Sequence, residues 1–208
     1  MTKFIVITGK AGVGKTTLGK KLASKLKYAY IETSMVSKYL ADELAKVKGI
    51  SSNDRDSDKY MKEIRIYEDK AYLHTIVENL KLGVSVITAK VWREEYCSNE
   101  WFEKFISENN LESKQVYLIN LELNDEDERK RRIMKRNHPK DKWKLDNWDK
   151  YSNQTKNYKV NWKNVYKLTL DVSFSDPDED VKKIISFING ANQDSYSTIN
   201  WENNHLVY

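Results

Sequence analysis

The chain has 208 residues, a single cysteine and a formal net charge of +5, from 36 Lys and Arg against 31 Asp and Glu. That length suffices for one α/β domain with a real core. A lone cysteine, Cys97, excludes an intrachain disulfide and reads as a packing residue in a reducing compartment, and no apolar run reaches the about 18 residues a membrane helix needs.

In chain order, Phe4 to Thr8 is a short apolar, β-branched run of the kind a buried parallel strand shows. No leader-like stretch precedes it, so a cytoplasmic location without a membrane partner is expected. Thr17 to Leu26 carries apolar residues at Leu18, Leu22, Ala23 and Leu26, which is helical spacing. Tyr28 to Glu32 reads as a second strand, and Ser34 to Val47 as a helix capped by Ser34. "GISSNDRDSDKY" is a polar loop. Tyr60 to Leu82 has a long helical pattern through Ile64, Tyr67, Ala71, Leu73, Ile76 and Leu80, closed by Gly83. Val84 to Ala89 is a third strand, Asn99 to Asn109 a helix and Gln115 to Leu121 a strand. Asn124 to Arg136 reads as a helix with acids first and bases last, as the helix dipole favours. Trp143 to Tyr158 is a further helix, Val165 to Leu170 a fifth strand, and Pro177 to Asn189 a last helix with Asp176 as cap. Strands alternating with helices predict an α/β fold, a three-layer αβα sandwich around a five-stranded parallel sheet. One domain is expected over 1–190, with a lid over about 129–158. A tail without clear periodicity, 191–208, follows as a loose end, an oligomer contact or a cover; a monomer or a homodimer fits equally.

The chemistry starts at Gly9-Lys10-Ala11-Gly12-Val13-Gly14-Lys15-Thr16, a full match to G-x-x-x-x-G-K-[ST] between a strand and a helix. Glycines let backbone N–H groups converge on an anion, and the helix N-terminus adds partial positive charge. Gly9 to Thr16, with Thr17, are therefore the candidate ATP-binding residues. Lys15 would reach the β- and γ-phosphates, and the Thr16 hydroxyl would ligate Mg²⁺. No guanine-reading N-K-x-D motif is present, which sets GTPases aside. The strand "VSVITAK" ends without an acid, which sets larger AAA-type and helicase ATPases aside.

A second signal is "ERKRRIMKRNHPKDKWKL". On a helix Arg129, Arg132 and Arg136 share one face. Pro139 breaks the helix, and bases continue at Lys140, Lys142 and Lys144. A basic run most often marks a solvated helix face. Downstream of a phosphate loop it reads as an arginine lid, because phosphoryl transfer needs positive charge around the migrating group. Arg132 and Arg136 are the candidates.

On these residues the chain resembles the small P-loop kinases related to nucleoside monophosphate kinases. "RNHPKDKWKLDNWDKY" looks like the lid and following helix of polynucleotide-kinase-like and zeta-toxin-like members. "DRDSDKYMKEI" and "VWREE" are similar to segments of bacteriophage deoxynucleoside monophosphate kinases, where an Asp-Arg-rich segment and an Arg-Glu pair line the acceptor site. The resemblance implies acceptor binding by Asp54, Arg55, Arg93 and Glu94, with Glu94 or Glu95 reaching Mg²⁺ through water. Glu32, ending the second strand, stands where related kinases often carry an Asp that takes the acceptor proton. Trp92, Trp143, Trp148 and Trp162 read first as core, and His74 and His138 lack metal-ligand spacing. The leading expectation is an ATP-dependent kinase with Mg²⁺, acting on a free deoxynucleotide or on a nucleotide within DNA or RNA. The Asn-, Lys- and Tyr-rich composition fits an AT-rich genome such as a phage's. The alternatives are a kinase of a sugar, an antibiotic or an amino-sugar nucleotide, and a non-catalytic NTP-regulated binding protein.

Overall fold

The computed structural model describes residues 2–51, 53–156, 158–174 and 176–190; the stretch 191–208, read above as a tail, lies outside them. Five strands, β1 (Phe4–Thr8), β2 (Ala29–Ile31), β3 (Val86–Ala89), β4 (Val116–Glu122) and β5 (Tyr166–Asp171), pair in the order β2-β3-β1-β4-β5. All four pairings are parallel. The central strand β1 is buried along its whole length, which is why it reads as an unbroken apolar run. Its side chains alternate between two cores. Ile5 and Ile7 join the core under α1 (Lys15–Leu26) and α10 (Pro177–Gly190), with Leu22, Ile184 and Phe187. Phe4 and Val6 join the other, with Tyr72, Ile76 and Leu80 of α4 (Ile66–Lys81) and Phe102 of α6 (Asn99–Glu108).

The remaining elements surround the carboxyl ends of the strands. Helix α2 (Thr33–Val47) packs on α4, and a short α3 (Asp58–Tyr60) runs through a π-helical turn, Met61–Arg65, into α4. The expected single helix from Tyr60 is therefore two helices joined by a π turn. Its buried face also differs from the reading: Glu68, Asp69 and Tyr72 point inward while Tyr67 is exposed. Helix α2 begins one residue before Ser34, and Glu32 occupies the cap position. A short α5 (Glu94–Cys97), absent from the expectations, follows β3.

Helix α7 (Glu126–Arg136) starts on Asp125, whose carboxylate accepts the Glu128 N–H at 2.9 Å, and ends at Asn137 in the left-handed region. After a 3₁₀ turn at Pro139–Asp141 the expected helix from Trp143 divides into α8 (Lys142–Asp146) and α9 (Trp148–Thr155). This lid is tied to the phosphate loop by an apolar cluster of Ala11, Ile133 and Tyr151, with Trp143, Leu145 and Trp148 against it. Trp92 and Trp162 are core residues, their rings 5.1 Å apart. Cys97 is buried, and burial pushes its thiol up to about 11.

Candidate active site

Ligands in open parallel sheets bind beyond the carboxyl ends of the strands. There the loop between β1 and α1 opens into a cleft of about 540 Å³. Gly9 and Gly12 have φ of 133° and 90°. A Cβ on Gly9 would collide with the Leu121 carbonyl oxygen, and one on Gly12 would lie 2.9 Å from the Arg129 carbonyl oxygen. Strained sterics and close approach thus both demand glycine at these positions. Gly14 caps α1 without any side-chain hydrogen bond, so the first N–H groups of that helix are left for an anion. Ala11, Gly12, Gly14, Lys15, Thr16 and Thr17 face this cleft, whereas Gly9, Lys10 and Val13 line a second cavity behind the loop.

Lys15 donates to the Lys10 carbonyl at 2.7 Å. Its ammonium is pushed down to about 7, first by burial and then by Arg136, Lys144 and Arg129. Such a group regains its full charge when phosphate oxygens arrive. The Thr16 hydroxyl interacts with the Tyr30 phenol and works against the rise in pKa that burial imposes on it. Tyr30 in turn donates to Glu32 at 2.7 Å, and Ser34 donates to the other Glu32 oxygen at 2.7 Å. Burial, followed by the Glu32 hydrogen bond, raises the Tyr30 phenol, so it stays a donor. Thr16 and Glu32 therefore meet through one phenol at the cleft edge. Among the described residues no group of three His, Cys, Asp or Glu could hold a metal ion. The hydroxyl and carboxylate oxygens here suit Mg²⁺, which keeps water and substrate phosphates as most of its ligands.

Facing the phosphate loop is a wall of cations: Arg65, Lys90, Arg93, Arg132, Arg136 and Lys144, with Glu32 and Asp56 as the acids of the lining. Each cation is fixed by an acid set behind or beside it. Arg65 meets Glu68 at 2.9 Å. Fully buried Asp69 pairs with Lys90 and, at 2.9 Å, with Arg93, which also meets Glu95 at 2.6 Å. Arg132 binds Glu128 at 2.8 Å, and Arg136 grips both oxygens of Asp141 at 2.5 Å. Lys144 meets Asp56 at 2.8 Å and Asp141 at 3.5 Å. Lys90 also lies 4.6 Å from the centre of the Tyr72 ring. Burial lowers its ammonium, against the opposing pull of Asp69.

Of the sequence candidates, the fold brings Lys15, Thr16, Glu32, Arg93, Arg132 and Arg136 to one cleft. Asp54, Arg55 and Glu94 are not in its lining. Asp54 accepts the backbone N–H groups of Asp56 and Ser57. Arg55 is buried and binds Asp42 and the Tyr60 hydroxyl, tying α2 to α3. The neighbours Asp56 and Arg65 reach the cleft instead. Arg129, read on one face with Arg132 and Arg136, turns toward the second cavity. Lys90, Asp69 and Arg65 escaped sequence reading. The available signal was two acids, Glu68 and Asp69, among the apolar residues of a helix that must pack on a sheet.

Sheet order, phosphate loop and lid together define a P-loop nucleotide-binding protein with the fold of the small kinases. The family described as "AAA domain" matches residues 5–157, and the chain belongs to it. This match corrects the exclusion of AAA-type ATPases drawn above from the missing acid after β3. The solved structures with this fold include a sugar kinase from Janibacter sp. HTCC2649, at TM-score 0.58 and 16% identity over 91% of this chain and 95% of that one. A gluconokinase from Sinorhizobium meliloti 1021 gives 0.55 and 17% over 91% and 94%. A shikimate kinase from Bacteroides thetaiotaomicron gives 0.53 and 17% over 90% and 98%. At these identities the likeness is one of fold. No curated protein matches the chain. Among the described residues, no helix is long and apolar enough to cross a membrane.

Proposed function

We propose that the protein is an ATP-dependent kinase whose acceptor is itself anionic, a nucleotide being the reading that fits best. The observation that carries it is the lining of the cleft, seven cations counting Lys15 against two acids. A donor triphosphate engages the phosphate loop, Lys15 and the lid. Arg65, Lys90 and Arg93 lie beyond it, on the side of α4 and β3, and suit a second anionic group on the acceptor.

In the proposed reaction an acceptor oxygen attacks the γ-phosphorus while the bond to the β–γ bridging oxygen breaks and the nucleoside diphosphate leaves. Where the acceptor oxygen is a hydroxyl, Glu32 takes its proton, its two oxygens oriented by Tyr30 and Ser34. A monophosphate oxygen, with its second pKa of about 6, is already ionised and attacks without a base. Lys15, Arg132 and Arg136 hold positive charge around the transferring group, a role that needs positioning rather than covalent chemistry. Thr16 would hold Mg²⁺, which when bound neutralises phosphate charge. The wall is preorganised because its cations are already paired from behind, so they need not reorganise on binding.

The names of the similar structures favour a second reading, a kinase of a small hydroxylated acid such as gluconate or shikimate. One screen separates the two: γ-labelled ATP offered to nucleoside monophosphates, oligonucleotides, sugars, gluconate and shikimate. A labelled nucleotide is the expected product. Labelled gluconate or shikimate alone would transfer the proposal to the second reading. Release of ADP and inorganic phosphate alone, with every acceptor, would end the kinase assignment.

A further inference from the structure

The cavity behind the phosphate loop, about 760 Å³, takes no part in the reaction drawn above. Lys15 and Thr16 face the active-site cleft and do not line this cavity. One wall is the face of β4 and β5 that carries Leu118 beside Lys167 and Asn120 beside Thr169, in register. Another comes from Lys156, Lys159 and Val160 after α9, and a third from Lys10 and Val13 of the loop itself.

Arg129 reaches this cavity from α7 in an unusual condition. It is 2% exposed, yet its Nε and Nη2 atoms have no hydrogen-bond partner among the described residues. The Glu126 carboxylate stands 3.6 Å away, and the Trp148 ring centre 5.6 Å away. Buried guanidinium N–H groups without hydrogen-bond acceptors are unfavourable unless something else supplies them. The neighbouring charges make the same demand. Burial and then Arg129 lower the Lys10 ammonium, with Lys159 and Lys156 adding to the effect and Glu126 opposing it. Lys10, Arg129, Lys156, Lys159 and Lys167 thus converge on a space whose acids are Glu122 and Glu126.

We propose that this cavity is a second ligand site, separate from the acceptor cleft, for an organic phosphate of mononucleotide size. The phosphate would answer Arg129 and the lysines. The apolar surface of Leu118, Val13 and Val160 would receive the uncharged body. The volume lies within the range of small-molecule sites. The assignment does not depend on phosphoryl transfer, because the site is defined by the orphaned Arg129 N–H groups and the lysines around them, outside the reacting cleft.

The test is calorimetric titration of the intact protein with AMP, GMP, CMP and UMP, with adenosine and inorganic phosphate as controls. Wild type should bind at least one monophosphate, and adenosine and phosphate each at least about tenfold more weakly. Because the acceptor cleft is also proposed to take nucleotides, the cavity is read as a second binding component. The triple change Lys156→Ala, Lys159→Ala, Lys167→Ala should weaken that component about tenfold or more, while Arg65→Ala, which acts on the acceptor cleft, should weaken only the other. Thr169→Glu, an exposed position on the same wall, puts a carboxylate against the phosphate and should weaken binding similarly without removing any lysine. Isotherms unchanged in both cavity variants, or no monophosphate binding in wild type, would overturn the site. Failure of the kinase proposal reads differently, as absent transfer with these isotherms intact.

Discussion

Eight consecutive residues, Gly9 to Thr16, build the phosphate cradle, while the cations opposite it arrive from four separated segments: Arg65, Lys90 with Arg93, Arg132 with Arg136, and Lys144. The cradle is a property of local backbone, set by glycines whose Cβ atoms would strike β4 and α7. The wall is a property of tertiary packing. Its cations stand where buried or half-buried acids hold them, Glu68 for Arg65, Asp69 for Lys90 and Arg93, and Asp141 for Arg136 and Lys144. A change in the cradle should therefore act directly on bound phosphate. A change behind the wall should act at one remove, through the position of a cation.

The largest effect should come from the cradle. Lys15→Ala should fold normally and lower transfer by about 10²-fold or more, measured with labelled ATP on the best acceptor. Near wild-type transfer would remove the central role given to the loop. The same lysine makes a sharper prediction through its pKa of about 7. At about pH 8 the free protein holds Lys15 mostly neutral, and phosphate oxygens restore the ammonium, so nucleotide binding should take up close to one proton. At about pH 6 the uptake should nearly vanish. Titration in buffers of different ionisation enthalpy measures it, and Lys15→Met should abolish it. The stability consequence has a definite sign. With the folded pKa below the unfolded one, the unfolded state binds the extra proton, so this group makes the unliganded protein more stable as pH rises from about 7 toward 10.5.

Next in size are the lid arginines. Removing Arg132 or Arg136 should reduce kcat by roughly tenfold or more with little change in acceptor KM, since their charge is required around the transferring group. Arg132→Ala also frees the carbonyls of Val172 and Ser173, which it reaches at 3.4 and 3.3 Å. Arg136→Ala is therefore the cleaner variant. A rise in acceptor KM at constant kcat would move these residues from the donor side of the comparison to the acceptor side.

The same contrast explains what was legible in the chain. The strand–loop–helix grammar around Gly9–Thr16 is contiguous, and strands alternate with helices along the chain, so the phosphate loop and the parallel sheet could be read directly. The segment from Tyr60 could not be read to the same depth. Of its expected apolar face, Ile64, Ile76 and Leu80 are buried and Leu73 packs against the core, but Tyr67 is exposed and the helix also buries Glu68 and Asp69. Those acids are inward because Arg65, Lys90 and Arg93 require partners there, and that requirement exists only once the sheet has brought β3 beside α4. Likewise "DRDSD" offers two Asp–Arg arrangements to the cleft. Only packing shows that Arg55 closes on Asp42 and Tyr60 while Asp56 meets Lys144. The division of 142–155 into two helices was hidden too, because Asp146 and Asn147 interrupt the lid without a proline or a glycine.

Asp69→Asn tests the wall at one remove. It keeps the shape of the side chain and removes the charge shared by Lys90 and Arg93. With acceptor binding assigned to those two cations, KM should rise about tenfold while kcat changes less. Breaking a buried pair should also lower stability by about 3 kcal/mol. Asp69→Asn with Arg93→Ala, compared with each single change, separates the two consequences. If the KM effects are not additive, the acid acts by positioning Arg93. Simple additivity would mean that Asp69 acts independently of Arg93, through Lys90, and a drop in stability without a change in KM would mean that it supports the fold alone.

The smallest effect is expected from the bases beyond Pro139, Lys140, Lys142 and Lys144, which a polymeric acceptor would have to use as contacts for its backbone. The structure sends them in three directions. Lys144 enters the cleft beside Asp56. Lys140 is half-buried, its ammonium lowered by burial and then by Arg55. Lys142 is exposed and paired with Asp146 at 2.7 Å. The three therefore do not lie along one line. Lys140→Ala with Lys142→Ala, leaving the cleft residue Lys144 in place, should then change KM by less than about twofold for mononucleotides and oligonucleotides alike. Plots of log KM against log salt should be parallel for wild type and variant. A polymeric acceptor lying across these residues would behave otherwise, because each lost phosphate contact lowers the slope by nearly one unit. A flattened oligonucleotide slope would therefore extend the functional wall past the lid, and parallel lines confine it to the cations whose acids stand behind them.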